Sequence, residues 1–140
     1  IFGCTFRQQR GIIRLEQSPV LRRFDLVVPV PASGRERGYN LPDLLARQLA
    51  WALDTPLDCG ALQKTRRTEK QEGKTARQRM ENVKNAYRAT NPAAVEGRRV
   101  LLVDDVITTG ATLSNCAKAL RTAGALDVFA VTLAETQFAR

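Results

Sequence analysis

Two adjacent carboxylates, Asp104 and Asp105, follow the apolar run Val100-Leu-Leu-Val103, and after Val106 and Ile107 comes the small, hydroxyl-rich stretch Thr108-Thr-Gly-Ala-Thr112. Carboxylates accept hydrogen bonds well from vicinal hydroxyls but repel phosphate. A small glycine-containing loop that leads into a helix does the opposite, because unpaired N–H groups and the positive end of the helix dipole favour a phosphate. The two features side by side suit one ligand class, a sugar phosphate of the ribose 5-phosphate type. The plainer alternative is a loop and helix cap with no ligand, yet such a cap has no need of two carboxylates.

Other chemistries are excluded by what the chain lacks. It has no histidine, so Ser-His-Asp and Cys-His catalysis and histidine-ligated metals are absent. Its cysteines, Cys4, Cys59 and Cys116, are odd in number and far apart, with no Cys-x-x-Cys pair. They read as small apolar residues, with neither a zinc site nor a disulfide framework.

The elements that must position the acid pair and the loop alternate between strand and helix patterns. Arg99-Val-Leu-Leu-Val103 is uniformly apolar and reads as a strand buried on both faces at the centre of a parallel sheet, with Asp104 and Asp105 terminating it. Asp25-Leu-Val-Val-Pro-Val30 is a shorter strand that ends at its prolines, and Asp127 to Leu133 is the last strand. Asn40 with Pro42 marks a helix start, and Leu41, Leu44, Leu45, Leu49, Ala52 and Leu53 are expected to form its buried face. Trp51 beside that stripe reads as partly buried packing. Leu113, Cys116, Ala117 and Leu120 share the inner face of a second helix, which Gly124 stops. The alternation predicts an α/β fold with a mainly parallel central sheet flanked by helices. Ligands of such sheets bind beyond the carboxyl ends of the strands, where the acid pair lies.

The length of 140 residues suits a single domain. Lys and Arg number 22 against 14 Asp and Glu, a net charge of +8, which attracts phosphate-bearing partners. Positive charge concentrates between Lys64 and Arg79, where large apolar residues are missing, and residues 64–79 read as a flexible basic loop. No apolar run is long enough for a membrane span and the start lacks the pattern of a signal peptide, so a cytoplasmic location without membrane insertion is expected. The first residue is not Met, which reads as a fragment or a processed form.

Val100-Leu-Leu-Val-Asp-Asp-Val-Ile-Thr-Thr-Gly-Ala-Thr112 resembles the phosphoribosyl pyrophosphate signature of the type I phosphoribosyltransferases. Arg37-Gly-Tyr-Asn40, Thr68-x-x-Gln71 and Arg79-x-x-Asn82-x-x-x-Ala86-Tyr87 resemble the ComF and GntX-like, competence-associated subgroup. With the signature, the likeness runs from about Asp25 to Thr136. It departs at Lys74, where the subgroup tends to carry Leu, and Cys4 alone does not supply the zinc ribbon often found at the subgroup's N-terminus.

The resemblance implies a type I phosphoribosyltransferase-like fold with a small hood in residues 1–24. It implies ribose hydroxyls on Asp104 and Asp105, and the 5′-phosphate on Thr108, Thr109, Gly110, Ala111 and Thr112. The diphosphate would meet Ala32, Ser33, Gly34, Arg35 and Arg37. A flexible loop with Lys64, Arg67, Lys70, Gln71, Lys74, Arg77 and Arg79 would close over the leaving group. Mg²⁺ is implied as a cofactor, held by the diphosphate and water with no direct protein ligand. So small a hood weighs against an ordinary purine, orotate or hypoxanthine enzyme. The implied activity is phosphoribosyl transfer in a protein tied to competence and DNA uptake. The alternatives are a module that binds single-stranded DNA beside a DNA-uptake helicase, or a regulator that senses phosphoribosyl pyrophosphate.

Overall fold

The computed structural model describes residues 3–5, 24–32, 40–65, 86–107 and 110–135. In chain order the elements are β1 (Gly3–Thr5), β2 (Leu26–Pro29), α1 (Leu41–Ala52), β3 (Leu62–Lys64), β4 (Tyr87–Ala89), α2 (Pro92–Val95), β5 (Arg99–Ile107), α3 (Ala111–Thr122) and β6 (Asp127–Glu135). Four strands form a sheet in the order β1-β6-β5-β2, and β3 pairs with β4 in a separate antiparallel hairpin. Every pairing in the larger sheet is parallel.

The strand pleat sorts the core into two layers. Leu26, Val28, Val100, Leu102, Val128 and Ala130 face α3 and join Leu113, Cys116, Ala117 and Leu120 in one cluster. Val27, Leu101, Val103 and Val131 face the other way and meet Phe24, Ala46, Leu49 and Ala50. Phe24 and Phe129 add an edge-to-face pair with ring centroids 5.1 Å apart. Burial on both faces explains why β5 carries an unbroken apolar run and lies inside the sheet, as its composition predicts. Pro29, which has no N–H to donate, sits on the edge strand β2. The outer side of β2 is covered after α1, where the Val27 N–H donates to the Pro56 carbonyl at 2.8 Å and the Asp58 N–H to the Val27 carbonyl at 3.0 Å.

Helix α3 buries the face its spacing predicts, and Gly124 follows it at φ +99°. There a side chain would be strained and would press on Glu96. Helix α1 differs from expectation. Its inward face is Pro42, Leu45, Ala46, Leu49, Ala50 and Leu53, while Leu41 and Leu44 are 39% and 48% exposed and Trp51 is 85% exposed. Leu45, Leu49 and Leu53 are inward as their spacing predicts, and the small Ala46 and Ala50 beside them let the helix backbone approach the sheet closely.

Three further differences concern the chain's ends and edges. Part of the segment expected as a hood, Gly3–Thr5, is a strand of the central sheet. Three residues are too few to show a period, and only their pairing with Ala130, Val131 and Thr132 defines them. Lys64, placed by composition in the flexible loop, belongs to β3 opposite Tyr87 and is half-buried. The hairpin to which it belongs forms across residues 65–86, a separation that local patterning does not register. Finally, β5 continues through the acid pair to Ile107, so Asp104 and Asp105 are strand residues, with Asp104 registered against Thr132.

Candidate functional site

Two strand-to-helix junctions meet at the carboxyl edge of the sheet. At the first, Val30 follows β2 with its N–H donating to the Val103 carbonyl at 2.8 Å, and Pro31 and Ala32 lead away. The expected cap Asn40 does precede α1, but its side chain makes no cap bond to the helix N–H groups. Its amide instead donates to the Asp43 carboxylate at 2.8 Å and to the Val30 carbonyl at 3.3 Å, tying the helix start to the strand end. At the second junction, Gly110 stands before α3 at φ +79°, a left-handed conformation that glycine adopts without strain. The first helical bond runs from the Ser114 N–H to the Gly110 carbonyl at 2.9 Å. Ala111 and Thr112, expected in the loop, therefore form the first turn of α3.

The acid pair stands on β5 between these junctions. Asp104 is 9% exposed, and its Oδ1 accepts the Asp105 N–H at 2.8 Å. Asp105 is half-buried, and its Oδ1 accepts the Val106 N–H at 2.9 Å. Burial pushes the Asp104 carboxyl up to about 6. A hydrogen bond shared with the Asp105 carboxyl and the charge on that neighbour add to the rise, and the Asp105 N–H opposes it. The pair is thus an acceptor-rich centre with one member close to its protonation point at neutral pH.

Tyr87 is the residue of this neighbourhood to which sequence reasoning assigned no role. Its phenol, raised by burial and by the nearby Cys116 and Asp104, lies beside the Thr112 side chain, which opposes the rise. Strand β4 packs on α3, so the hairpin bordering residues 65–86 reaches the first turn of that helix through this contact. The only sequence signal was the aromatic residue in the Ala86-Tyr87 motif. Burial and Asp104 push the Cys116 thiol up to about 12, so it stays protonated and serves as packing rather than as a nucleophile. Cys59 is half-buried and also raised, by burial first.

Asp104 and Asp105 lie on β5, Gly110, Ala111 and Thr112 at the start of the helix that follows it, and Ala32 on the segment leaving the neighbouring strand β2. Ser33, Gly34, Arg35, Arg37, Arg67, Lys70, Gln71, Lys74, Arg77, Arg79, Thr108 and Thr109 lie outside the described residues. Among the described residues no group of three or more Cys, Asp or Glu side chains is arranged to hold a metal ion. Nor is any helix among them long and apolar enough to cross a membrane.

Residues 14–137 match the family model of the phosphoribosyl transferase domain. The chain belongs to this family. Within it, the relatives are ComF-like. Competence protein F of Haemophilus influenzae is 40% identical over 108 residues, covering 74% of this chain and 47% of that protein. DNA utilization protein YhgH of Escherichia coli strain K12 is 38% identical over 120 residues, covering 84% of this chain and 52% of that protein. The chain therefore spans about half the length of these relatives. The glutamine phosphoribosylpyrophosphate amidotransferase from B. subtilis, solved with ADP and GMP, matches with a TM-score of 0.57 at 28% identity, over 84% of this chain and 24% of that one. The protein is a ComF-like type I phosphoribosyltransferase domain, and its parallel sheet with helices on both faces is the fold expected of one.

Proposed function

We propose that this phosphoribosyltransferase domain binds phosphoribosyl pyrophosphate at the carboxyl edge of the sheet and transfers the phosphoribosyl group to an acceptor. The observation that carries this reading is the acid pair on the interior strand β5, one short junction away from a helix that starts on a left-handed glycine. In the proposed complex Asp104 and Asp105 accept the ribose hydroxyls, which requires Asp104 to be ionised. Residues 108–112 hold the 5′-phosphate at the start of α3, where N–H groups and the helix dipole favour an anion. Ala32, Ser33, Gly34, Arg35 and Arg37 contact the diphosphate, and the basic loop ending at Arg79 covers it. In the transfer, the C1′–oxygen bond to the diphosphate breaks as the acceptor's bond to C1′ forms, and positive side chains stabilise the departing charge. The carboxylates here suit hydroxyls better than a directly held ion, so Mg²⁺ would sit among diphosphate oxygens and water, where it supplies charge neutralisation.

The names of the relatives and the net charge of +8 favour a setting in DNA uptake, with single-stranded DNA and a helicase of that machinery as partners. Titration calorimetry with phosphoribosyl pyrophosphate, with and without Mg²⁺, tests the reading. Saturable binding that Mg²⁺ tightens is the expected result. A folded protein that gives no heat with phosphoribosyl pyrophosphate but binds single-stranded DNA with steep salt dependence would replace the transferase reading with a nucleic-acid-binding one.

A further inference from the structure

The pleat of the hairpin fixes the face on which Tyr87 lies. Lys64 stands opposite Tyr87 and Leu62 opposite Ala89, with the pair Gln63 and Arg88 between them. Leu62 is buried in the cluster beneath α3 and Tyr87 packs against the same cluster, so both point to the core side. Arg88 points the other way, where its guanidinium has a 3.5 Å contact with the Gln63 amide. On α3, Thr112 and Cys116 are one turn apart on a shared face, and the Tyr87 phenol lies beside both, with Asp104 near it. A phenylalanine ring would serve as packing here equally well. A half-buried phenol needs a hydrogen-bonding partner, and the strongest neutral partner in this group is the Thr112 hydroxyl. Thr112 in turn is not fixed by its own helix. Gly110 caps α3 without a side chain, and a helical threonine divides between two χ1 rotamers. Thr112 is exposed, so core packing does not choose between them.

We infer that Tyr87 is a positioning residue of the phosphoribosyl pyrophosphate site proposed above: its phenol fixes the Thr112 rotamer that presents the Thr112 hydroxyl to the 5′-phosphate. The inference rests on that reading of the site. A hydroxyl accepts and donates at the same time, so the Thr112 oxygen accepts from the phenol O–H while the Thr112 O–H turns towards the phosphate. The phenol is suited to donate, because burial raises it above its ordinary value and it keeps its proton at neutral pH. Tyr87 touches no reacting atom and acts only through Thr112. Its effect is to order the first turn of α3 before the ligand arrives, which spares the complex the loss of rotamer freedom on binding.

The test is a double-mutant cycle read by titration calorimetry with phosphoribosyl pyrophosphate and Mg²⁺. Tyr87→Phe removes one oxygen and keeps the ring that packs on the core, so the fold persists, and affinity should fall about three- to tenfold. Thr112→Val removes the hydroxyl that meets the phosphate and should lose at least as much. In the double variant the loss should equal that of Thr112→Val alone, because the phenol then has nothing to position. In the free protein, the Thr112 χ1 coupling constants should report one rotamer for the wild type and an average of two for Tyr87→Phe. Unchanged affinity in Tyr87→Phe, or a loss that adds in full to that of Thr112→Val, would overturn the role of Tyr87 and leave the carboxyl-edge site in place. Rotamer averaging at Thr112 in the wild type would do the same. A wild type that binds no phosphoribosyl pyrophosphate would overturn the carboxyl-edge reading, and the role of Tyr87 with it.

Discussion

Between β5 and α3 the chain turns through residues 108–110, whereas between β2 and α1 it travels through residues 30–40. Both paths leave the carboxyl edge of the same sheet and deliver a twelve-residue helix, one to each face. The short path ends on one left-handed backbone conformation, at Gly110. The two ends of the long path are joined by a tertiary tether, the Asn40 amide bridging the Val30 carbonyl and the Asp43 carboxylate. The acid pair stands on the strand that feeds the short path. A site that must present carboxylates and helix N–H groups to one small ligand gains most where the connection is shortest.

The largest effect should come from the chemistry that the short junction presents. Replacing Asp104 and Asp105 together by Asn should weaken phosphoribosyl pyrophosphate binding about 100-fold or more in calorimetry, because two charge-assisted acceptors are lost. The same change should not lower the melting temperature. A melting temperature that fell with the affinity would make the pair a structural feature of β5.

The single variant Asp104→Asn sharpens this through pH. The folded carboxyl titrates at about 6 against 3.8 for the free group, so the native state binds this proton more tightly than the unfolded chain. Its contribution to stability is therefore fully present below about pH 4 and is lost as pH rises through 6. Asn mimics the protonated form. The variant should be more stable than wild type at pH 7–8, by on the order of 1–3 kcal/mol, with the advantage vanishing towards pH 4. A pH-independent difference between the two melting curves would contradict the burial argument.

Next in size is the junction itself. Gly110→Ala forces a Cβ into the left-handed region at a cost of about 1–2 kcal/mol, and it should weaken phosphoribosyl pyrophosphate binding about tenfold. Gly110→Asn, which tolerates that conformation better, should recover part of the loss. The smallest effect belongs to the tether. Asn40→Ala should cost about 1 kcal/mol in denaturant unfolding and change affinity by no more than about threefold. An affinity loss from Asn40→Ala equal to that from Gly110→Ala would erase the distinction between the two junctions.

The two long helices show how far local pattern reaches. In α3 the apolar residues Leu113, Cys116, Ala117 and Leu120 fall on a single stripe, so spacing and burial coincide. In α1 the expected stripe of Leu41, Leu44, Leu45, Leu49, Ala52 and Leu53 is rotated: Leu45, Leu49 and Leu53 are inward together with Pro42, Ala46 and Ala50, while Leu41 and Leu44 are exposed. Counting large apolar residues draws the face towards Leu41 and Leu44, and close packing on the sheet draws it towards Ala46 and Ala50. The hairpin of β3 and β4 was illegible for another reason. Each strand has three residues, and their pairing crosses residues 65–86, so neither period nor turn chemistry marks it. Without the hairpin, Tyr87 could not be placed beside Thr112, nor Arg88 opposite Gln63.

What the sequence by itself determined is what depends on neighbours along the chain. The apolar run of β5 followed by two carboxylates, the glycine before α3 and the inward face of that helix are all set by strand period, helix period and allowed φ. The tertiary structure alone decided which stripe of α1 is buried and that Trp51 stays in solvent. It also decided that Gly3–Thr5 completes the sheet, that Tyr87 reaches Thr112, and that Asp104 holds its proton up to about pH 6. Each of these follows from which surfaces lose water to residues distant in the chain, and desolvation is not a property of any local stretch of sequence.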